Sequence, residues 1–147
     1  GLSLGGAPLG AWLAVAGRFD LPPVVLGLAV LAWVAGFDII YACQDVEFDR
    51  KHGLHSAPRL FGVARALRLS SALHLLTVLL LFLLPLLLPL GWPYLAGIAG
   101  TTALLAYEHR LVRPDDLSRV NQAFFTVNGC VGFLILSGTA VDLALGS

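Results

Sequence analysis

Methionine is absent from all 147 residues, charge is scarce, and cysteine occurs only at Cys43 and Cys130. Only 12% of the residues are charged and 58% are hydrophobic. Soluble domains average roughly 25% charged and 45–50% apolar residues, so an ordinary soluble globule is excluded. Nine Lys+Arg balance nine Asp+Glu, and without a basic face nothing argues for a nucleic-acid partner. Two cysteines lying in or beside apolar runs make no disulfide framework and read as small buried hydrophobes. No charged segment precedes the first apolar run, so the opening residues do not read as a signal peptide. With no methionine, the chain reads as a fragment whose front is missing.

What the sequence does hold is long apolar runs. A helix needs about 20 apolar residues to cross about 30 Å of hydrocarbon, and runs near that length cover about 2–17, 21–43, 71–90, 92–110 and 121–143, the first of them short. The expected architecture is therefore all-α, a polytopic transmembrane helix bundle with about five spans in one membrane domain over 1–147. Pro85 and Pro89 should bend or end the third span. Eight of the nine Lys+Arg fall in two polar stretches, Asp45 to Arg68 and Glu108 to Arg119, and the ninth is Arg18. Short loops rich in Lys and Arg stay on the cytoplasmic side, which would put both stretches there and Gly91 opposite. Trp92 and Tyr94 read as interface anchors, and His74 and His109 as interfacial.

The chemistry concentrates between Asp38 and Asp49. Asp38, Tyr41, Asp45 and Asp49 recur at separations that return to one face of a helix. Carboxylates so spaced repel one another, and one inside hydrocarbon costs about 2.5–3.5 kcal/mol on insertion scales. A hard divalent cation offsets that cost, since Mg²⁺ takes one or two carboxylates and completes its shell with water and phosphate oxygens. Arg50, Lys51, His52, His55 and Arg59 follow, donors suited to a diphosphate. Taken singly, acidic and basic residues past a membrane helix are solvated caps, but an aspartate within the apolar run, as Asp38 is, marks function by default.

The pattern Asp38-x-x-Tyr41-Ala42-x-x-Asp45-x-x-x-Asp49, followed by Gly53-x-x-Ser56, resembles the second aspartate-rich motif of the UbiA superfamily of intramembrane aromatic prenyltransferases, in particular its 4-hydroxybenzoate polyprenyltransferase-like branch. The stretch from Gly53 to Gly62, the segment from Glu108 through Asn121, and Ala123 to Gly129 are similar to that branch as well. The resemblance implies a bundle of eight or nine spans of which this chain is the C-terminal part, with two aspartate-rich motifs facing across a cytoplasmic mouth. It implies Asp45 and Asp49 as Mg²⁺ ligands, Asp38 with them in catalysis, and Tyr41, Lys51, His55, Arg59 and Asn128 as substrate-binding residues. Where many relatives have lysine this chain has His55, an imidazole whose charge depends on pH. The first motif, Asn-Asp-x-x-Asp in form, is not among these 147 residues.

The activity so implied is transfer of a polyprenyl group from an isoprenoid diphosphate to an aromatic acceptor, 4-hydroxybenzoate or a related quinone precursor, in ubiquinone- or menaquinone-type biosynthesis. The expected partners are a polyprenyl diphosphate, the aromatic acceptor, the lipid bilayer and the missing N-terminal half, without which the fragment should be inactive. The expected location is the bacterial inner membrane, with the site facing the cytoplasm. Two other classes of membrane protein fit the residues less well. CDP-alcohol phosphotransferases need an Asp-Gly step, which this chain lacks. Half of a transporter, with Asp38 as a proton or cation relay, would be expected to repeat internally, and no repeat is visible.

Overall fold

The computed structural model describes residues 1–146, and they are almost entirely helical. In chain order the helices are α1 (Leu2–Ala16), α2 (Leu21–Ala42), α3 (Val46–His52), α4 (Ala57–Phe61), α5 (Val63–Leu83), α6 (Trp92–Leu111) and α7 (Asn128–Leu145). Short 3₁₀ turns at Cys43–Asp45 and Leu84–Leu86 follow α2 and α5, and a π-helical turn at Gln122–Val127 leads into α7. Helix ends follow local chemistry. Gly17 closes α1 and Gly53 closes α3 at φ of 66° and 71°, left-handed conformations that glycine adopts without a Cβ penalty. Proline lies in the first turn of α2, α4 and α6, where its missing N–H removes no helical bond.

The all-α class stands, but the expected number of spans does not. Among the described residues, three helical stretches are long and apolar enough to cross a membrane: Leu21–His52, Val63–Leu86 and Gln122–Leu145. α1 is apolar but has 15 residues, about 22 Å at 1.5 Å per residue, too short for about 30 Å of hydrocarbon. α6 has the length, with 20 residues, but Thr101, Thr102, Glu108, His109 and Arg110 dilute its apolar content. The polar stretch from Asp45 to Arg68 is also not one loop. It holds α3, α4 and the first six residues of α5, which starts at Val63 and not near residue 71.

The bundle is built from two main helix pairs, α2 with α5 and α6 with α7, and α1 lies against α2. Both α1/α2 and α6/α7 approach through glycine. A Cβ on Gly27 would lie 2.5 Å from the Gly5 carbonyl oxygen, and one on Gly138 would lie 3.2 Å from the Gly97 Cα. Small residues of this kind let membrane helices pack backbone to backbone. One apolar core, including Ile40, Leu67, Leu105, Val120 and Val131, lies toward the polar loops, and a second joins Val25, Leu81, Leu84, Tyr94 and Ile98. At the second core's end, buried Asp142 accepts the Gly91 amide at 2.9 and 3.1 Å and so caps the start of α6. Large apolar side chains including Leu75, Leu79, Phe82, Phe133 and Leu136 point outward, as a surface solvated by lipid requires.

Candidate active site

The end of α2 carries the acidic segment. α2 stays regular through Tyr41, tightens to 3₁₀ over Cys43–Asp45 and resumes as α3. That change of pitch splits the single stripe expected from spacing. Asp38, Tyr41 and Asp45 remain exposed, whereas Asp49 turns inward and is 7% exposed. None of the three aspartates makes a salt bridge or a side-chain hydrogen bond within residues 1–146. Among the described residues, no group of three or more His, Cys, Asp and Glu side chains is gathered as a metal cluster. Asp45 and Asp49, one helical turn apart and free of protein cations, are nevertheless hard oxygen donors of the kind Mg²⁺ accepts. One or two carboxylates suffice when water and phosphate complete its shell.

The basic residues that follow are spread around the α3–α4 connection. Lys51 and His55 are exposed. Arg59 is half-buried and turns its guanidinium back to donate to the Leu54 carbonyl. The His52 ring stacks on Phe48 with centroids 4.0 Å apart, and its Nδ1 lies 3.0 Å from the Phe48 carbonyl oxygen. At the same end, the Gln44 side chain donates to Asn121 Oδ1 at 3.5 Å. The segment after α2 and the start of the last span therefore meet, and both polar stretches lie at one end of the bundle.

Below the acidic segment, α2 presents an aromatic ladder. Trp33, Phe37 and Tyr41 follow at four-residue intervals, and Phe124 enters from the π-helical turn. Ring centroids are 5.6 Å apart for Trp33 and Phe37, 5.3 Å for Phe37 and Phe124, and 4.4 Å for Tyr41 and Phe124. Trp33 also lines an apolar cavity of about 300 Å³ between α2, α5 and α7, along with Leu26, Thr77 and Ile135. A second cavity of about 430 Å³ shares Leu26, Ile135 and Thr139 with the first and continues toward Leu90 and Tyr94. The ladder thus runs from an elongated apolar space to the helix end that bears Asp45.

Asn128 is not at the mouth. It is buried, accepts the Trp33 indole N–H at 2.9 Å, and donates to Glu108 Oε1 at 3.1 Å. Asn121, seven residues earlier, is exposed, because the intervening π turn breaks the seven-residue register that would have placed both on one face. Sequence reasoning missed Glu108 and His74, which are fully or nearly fully buried. Glu108 opens the polar stretch that ends at Arg119 but lies within α6, which runs from Trp92 to Leu111 and carries it into the bundle. His74 sits eleven residues into α5 instead of at an interface.

Residues 1–130 match the UbiA prenyltransferase family. An all-helical membrane bundle with an acidic helix end above an apolar cavity is the class of protein defined here, and the chain belongs to that family of prenyl-transferring enzymes. Among its relatives are the 4-hydroxybenzoate octaprenyltransferases of Aeromonas hydrophila, 36% identical over 133 residues, and of Chromohalobacter salexigens, 33% identical over 138. The corresponding protein of Cupriavidus pinatubonensis is 32% identical over 148. These matches cover 88%, 94% and 99% of this chain but 46%, 45% and 50% of the relatives, so the chain spans about half their length. No solved structure matches it.

Proposed function

We propose that this chain supplies one side of a prenyltransferase site that moves a polyprenyl group from an isoprenoid diphosphate to an aromatic acceptor such as 4-hydroxybenzoate. The observation that carries the reading is the continuity on α2, where Trp33 lines the apolar cavity, Phe37 and Tyr41 continue the aromatic wall, and Asp45 follows one turn later. An amphiphile with a long hydrocarbon tail and a polyanionic head matches that order of surfaces. Exposed Asp38 and Asp45, with Asp49 turned inward beside them, supply the acidic groups, and relatives named 4-hydroxybenzoate octaprenyltransferases support the aromatic acceptor.

In this reading Asp45 and Asp49 would hold Mg²⁺, which would supply positive charge to offset the negative charge of the donor diphosphate. Lys51, His55 and Arg59 bind the same diphosphate by donating to its oxygens. The electron pair of the allylic C–O bond leaves with the diphosphate, the allylic carbon bonds to the ring, and the ring loses one proton. Leu26, Ile135 and the aromatic ladder exclude water, which would otherwise capture the carbocation. The diphosphate carries more negative charge than this segment alone offsets, so the other side of the site is assigned to residues outside these 147.

The test uses the full-length protein carrying this sequence, reconstituted in lipid with octaprenyl diphosphate and a panel of hydroxylated aromatic acids. The expected result is prenylated product and released diphosphate that require Mg²⁺ and stop on chelation. Absence of transfer to every acid, in protein that still inserts, would contradict the proposal.

A further inference from the structure

A second polar constellation lies inside the bundle, away from Asp45, and joins the two helix pairs. Glu108 and His109 come from α6, His74 from α5, Asn128 from α7, and Trp33 from α2. Glu108 is wholly buried, and its Oε2 has no hydrogen-bond partner, although His74 Nδ1 lies 3.4 Å away. His74 Nδ1 is also 3.0 Å from His109 Nε2, and His74 Nε2 is 3.3 Å from the Trp33 carbonyl oxygen. His109 Nδ1 in turn lies 3.2 Å from the hydroxyl of exposed Ser71.

Hydrogen-bond valence fixes much of the proton placement. The Trp33 indole N–H can only donate, so the Asn128 atom facing it is the oxygen, and the Asn128 amide must point at Glu108 Oε1. A carbonyl can only accept, so His74 Nε2 carries hydrogen. If His74 is neutral, its Nδ1 is a lone pair, and an ionised Glu108 Oε2 would face that lone pair with no donor. A buried carboxylate in that position is strongly disfavoured. The conflict disappears when Nδ1 carries a proton, as carboxylate beside imidazolium, because that N–H faces Glu108 Oε2 at 3.4 Å and a lone pair of His109 Nε2 at 3.0 Å. That arrangement leaves the pair without net charge. Among the described residues, α2 meets this pair through the Trp33 carbonyl and Gly36, and α7 meets it through Asn128. His109 is the other titratable group in contact.

We propose that Glu108 and His74 form an intramembrane proton-holding site, connected to the surface through His109 and Ser71, whose neutral state lets Glu108 act through Asn128 to position Trp33 at the cavity wall. The proton is the ligand, and Glu108 and Asn128 are positioning residues. The reach to the indole stands on geometry alone. The consequence for donor binding rests on the prenyl-transfer reading above.

The test labels the full-length protein with 5-fluorotryptophan and follows the Trp33 ¹⁹F resonance, identified by its loss in Trp33→Phe. Glu108→Gln should leave that resonance in place, because the amide oxygen still accepts from Asn128 and the side chain, like the native pair, adds no net charge. Glu108→Ala and Asn128→Ala should shift or broaden it. If Glu108→Ala fails to fold, Asn128→Ala still reports on Trp33 with the carboxyl intact. A Glu108→Gln resonance displaced as far as that of Asn128→Ala would overturn the proton-holding site, and an unmoved resonance in Asn128→Ala would overturn the positioning. A kinetic arm separates positioning from general stability. Asn128→Ala should raise KM severalfold for octaprenyl diphosphate but not for geranyl diphosphate, and equal losses for both donors would overturn a role at the cavity wall. If the wild type transfers no prenyl group, the donor reading fails while the ¹⁹F result still decides the proposal.

Discussion

The Asp116 carboxyl sits in the exposed turn closed by the bridge between Arg113 and Asp116, where it accepts the Ser118 hydroxyl at 2.6 Å and the Ser118 amide at 3.0 Å. The Ser118 hydroxyl, then its amide, hold Asp116 below the ordinary carboxylate range. A depressed folded-state value means the unfolded chain binds the proton more readily. The turn's stabilisation is therefore present above the unfolded value and is lost as pH falls through the folded one. Ser118→Ala should raise the Asp116 titration midpoint, read by carboxyl ¹³C NMR, and an unchanged midpoint would show that the hydroxyl does not set it. Single residues differed in how much the sequence disclosed. Asp45 and Asp49 were legible because acidic residues at a membrane helix end stand out against an apolar background. Glu108 was hidden by its neighbours, since His109, Arg110 and Arg113 make it read as the start of a polar loop. Its burial depends on His74 and Asn128, which are distant in sequence.

Glycine contacts set how closely the helices approach. A Cβ on Gly36 would lie 2.3 Å from the His74 ring, and Ser70 Oγ donates to the Gly36 carbonyl at 2.7 Å on the same contact. Gly36→Ala must therefore push His74 aside or part α2 from α5. Overpacking of this kind costs about 1–3 kcal/mol, and a lowered thermal midpoint in detergent is the expected result. Gly27→Ala meets backbone, the Gly5 carbonyl oxygen, which cannot swing away as a side chain can. It should loosen α1 from α2 and be detected as reduced disulfide cross-linking between cysteines placed on the two helices. Undiminished cross-linking would show that the approach tolerates a methyl group. Among whole elements, the long apolar runs of α2, α5 and α7 were legible because lipid exposure imposes composition directly. α6 reads as a span because its middle, Leu95 to Ala106, is apolar apart from glycines and Thr101 and Thr102, whereas Trp92-Pro93-Tyr94 at one end and Glu108-His109-Arg110 at the other lower its overall hydropathy. The π-helical turn left no readable pattern. Its register depends on Asn128 donating to the Ala123 and Phe124 carbonyls at 3.3 and 3.1 Å, which spacing alone cannot foretell.

Across the whole molecule, both polar stretches lie at one end of the bundle and Gly91 lies at the other. If the Lys- and Arg-rich end faces the cytoplasm, then with Cys43 and Cys130 replaced by serine, a probe cysteine at Arg65 or Asp116 should label from the cytoplasmic side and one at Gly91 should not. Equal labelling at Gly91 and Arg65 would overturn that orientation. Expressed alone, the 147 residues should not turn over prenyl diphosphate, because they carry one acidic wall of a site proposed to have two. Robust Mg²⁺-dependent transfer by this chain alone would show that the site is built differently. The measurement that bears most directly on the proposed role of α2 is prenyl transfer by the full-length protein carrying Asp45→Asn or Asp49→Asn, each compared with wild type at matched membrane insertion. An amide keeps the side chain's shape but not the charge that holds Mg²⁺. Each variant should lose about 10²-fold or more in kcat, the scale on which loss of one preorganised charge-stabilising group is felt. Near wild-type transfer by both variants, in protein that inserts normally, would contradict the assignment of this acidic helix end to the donor diphosphate.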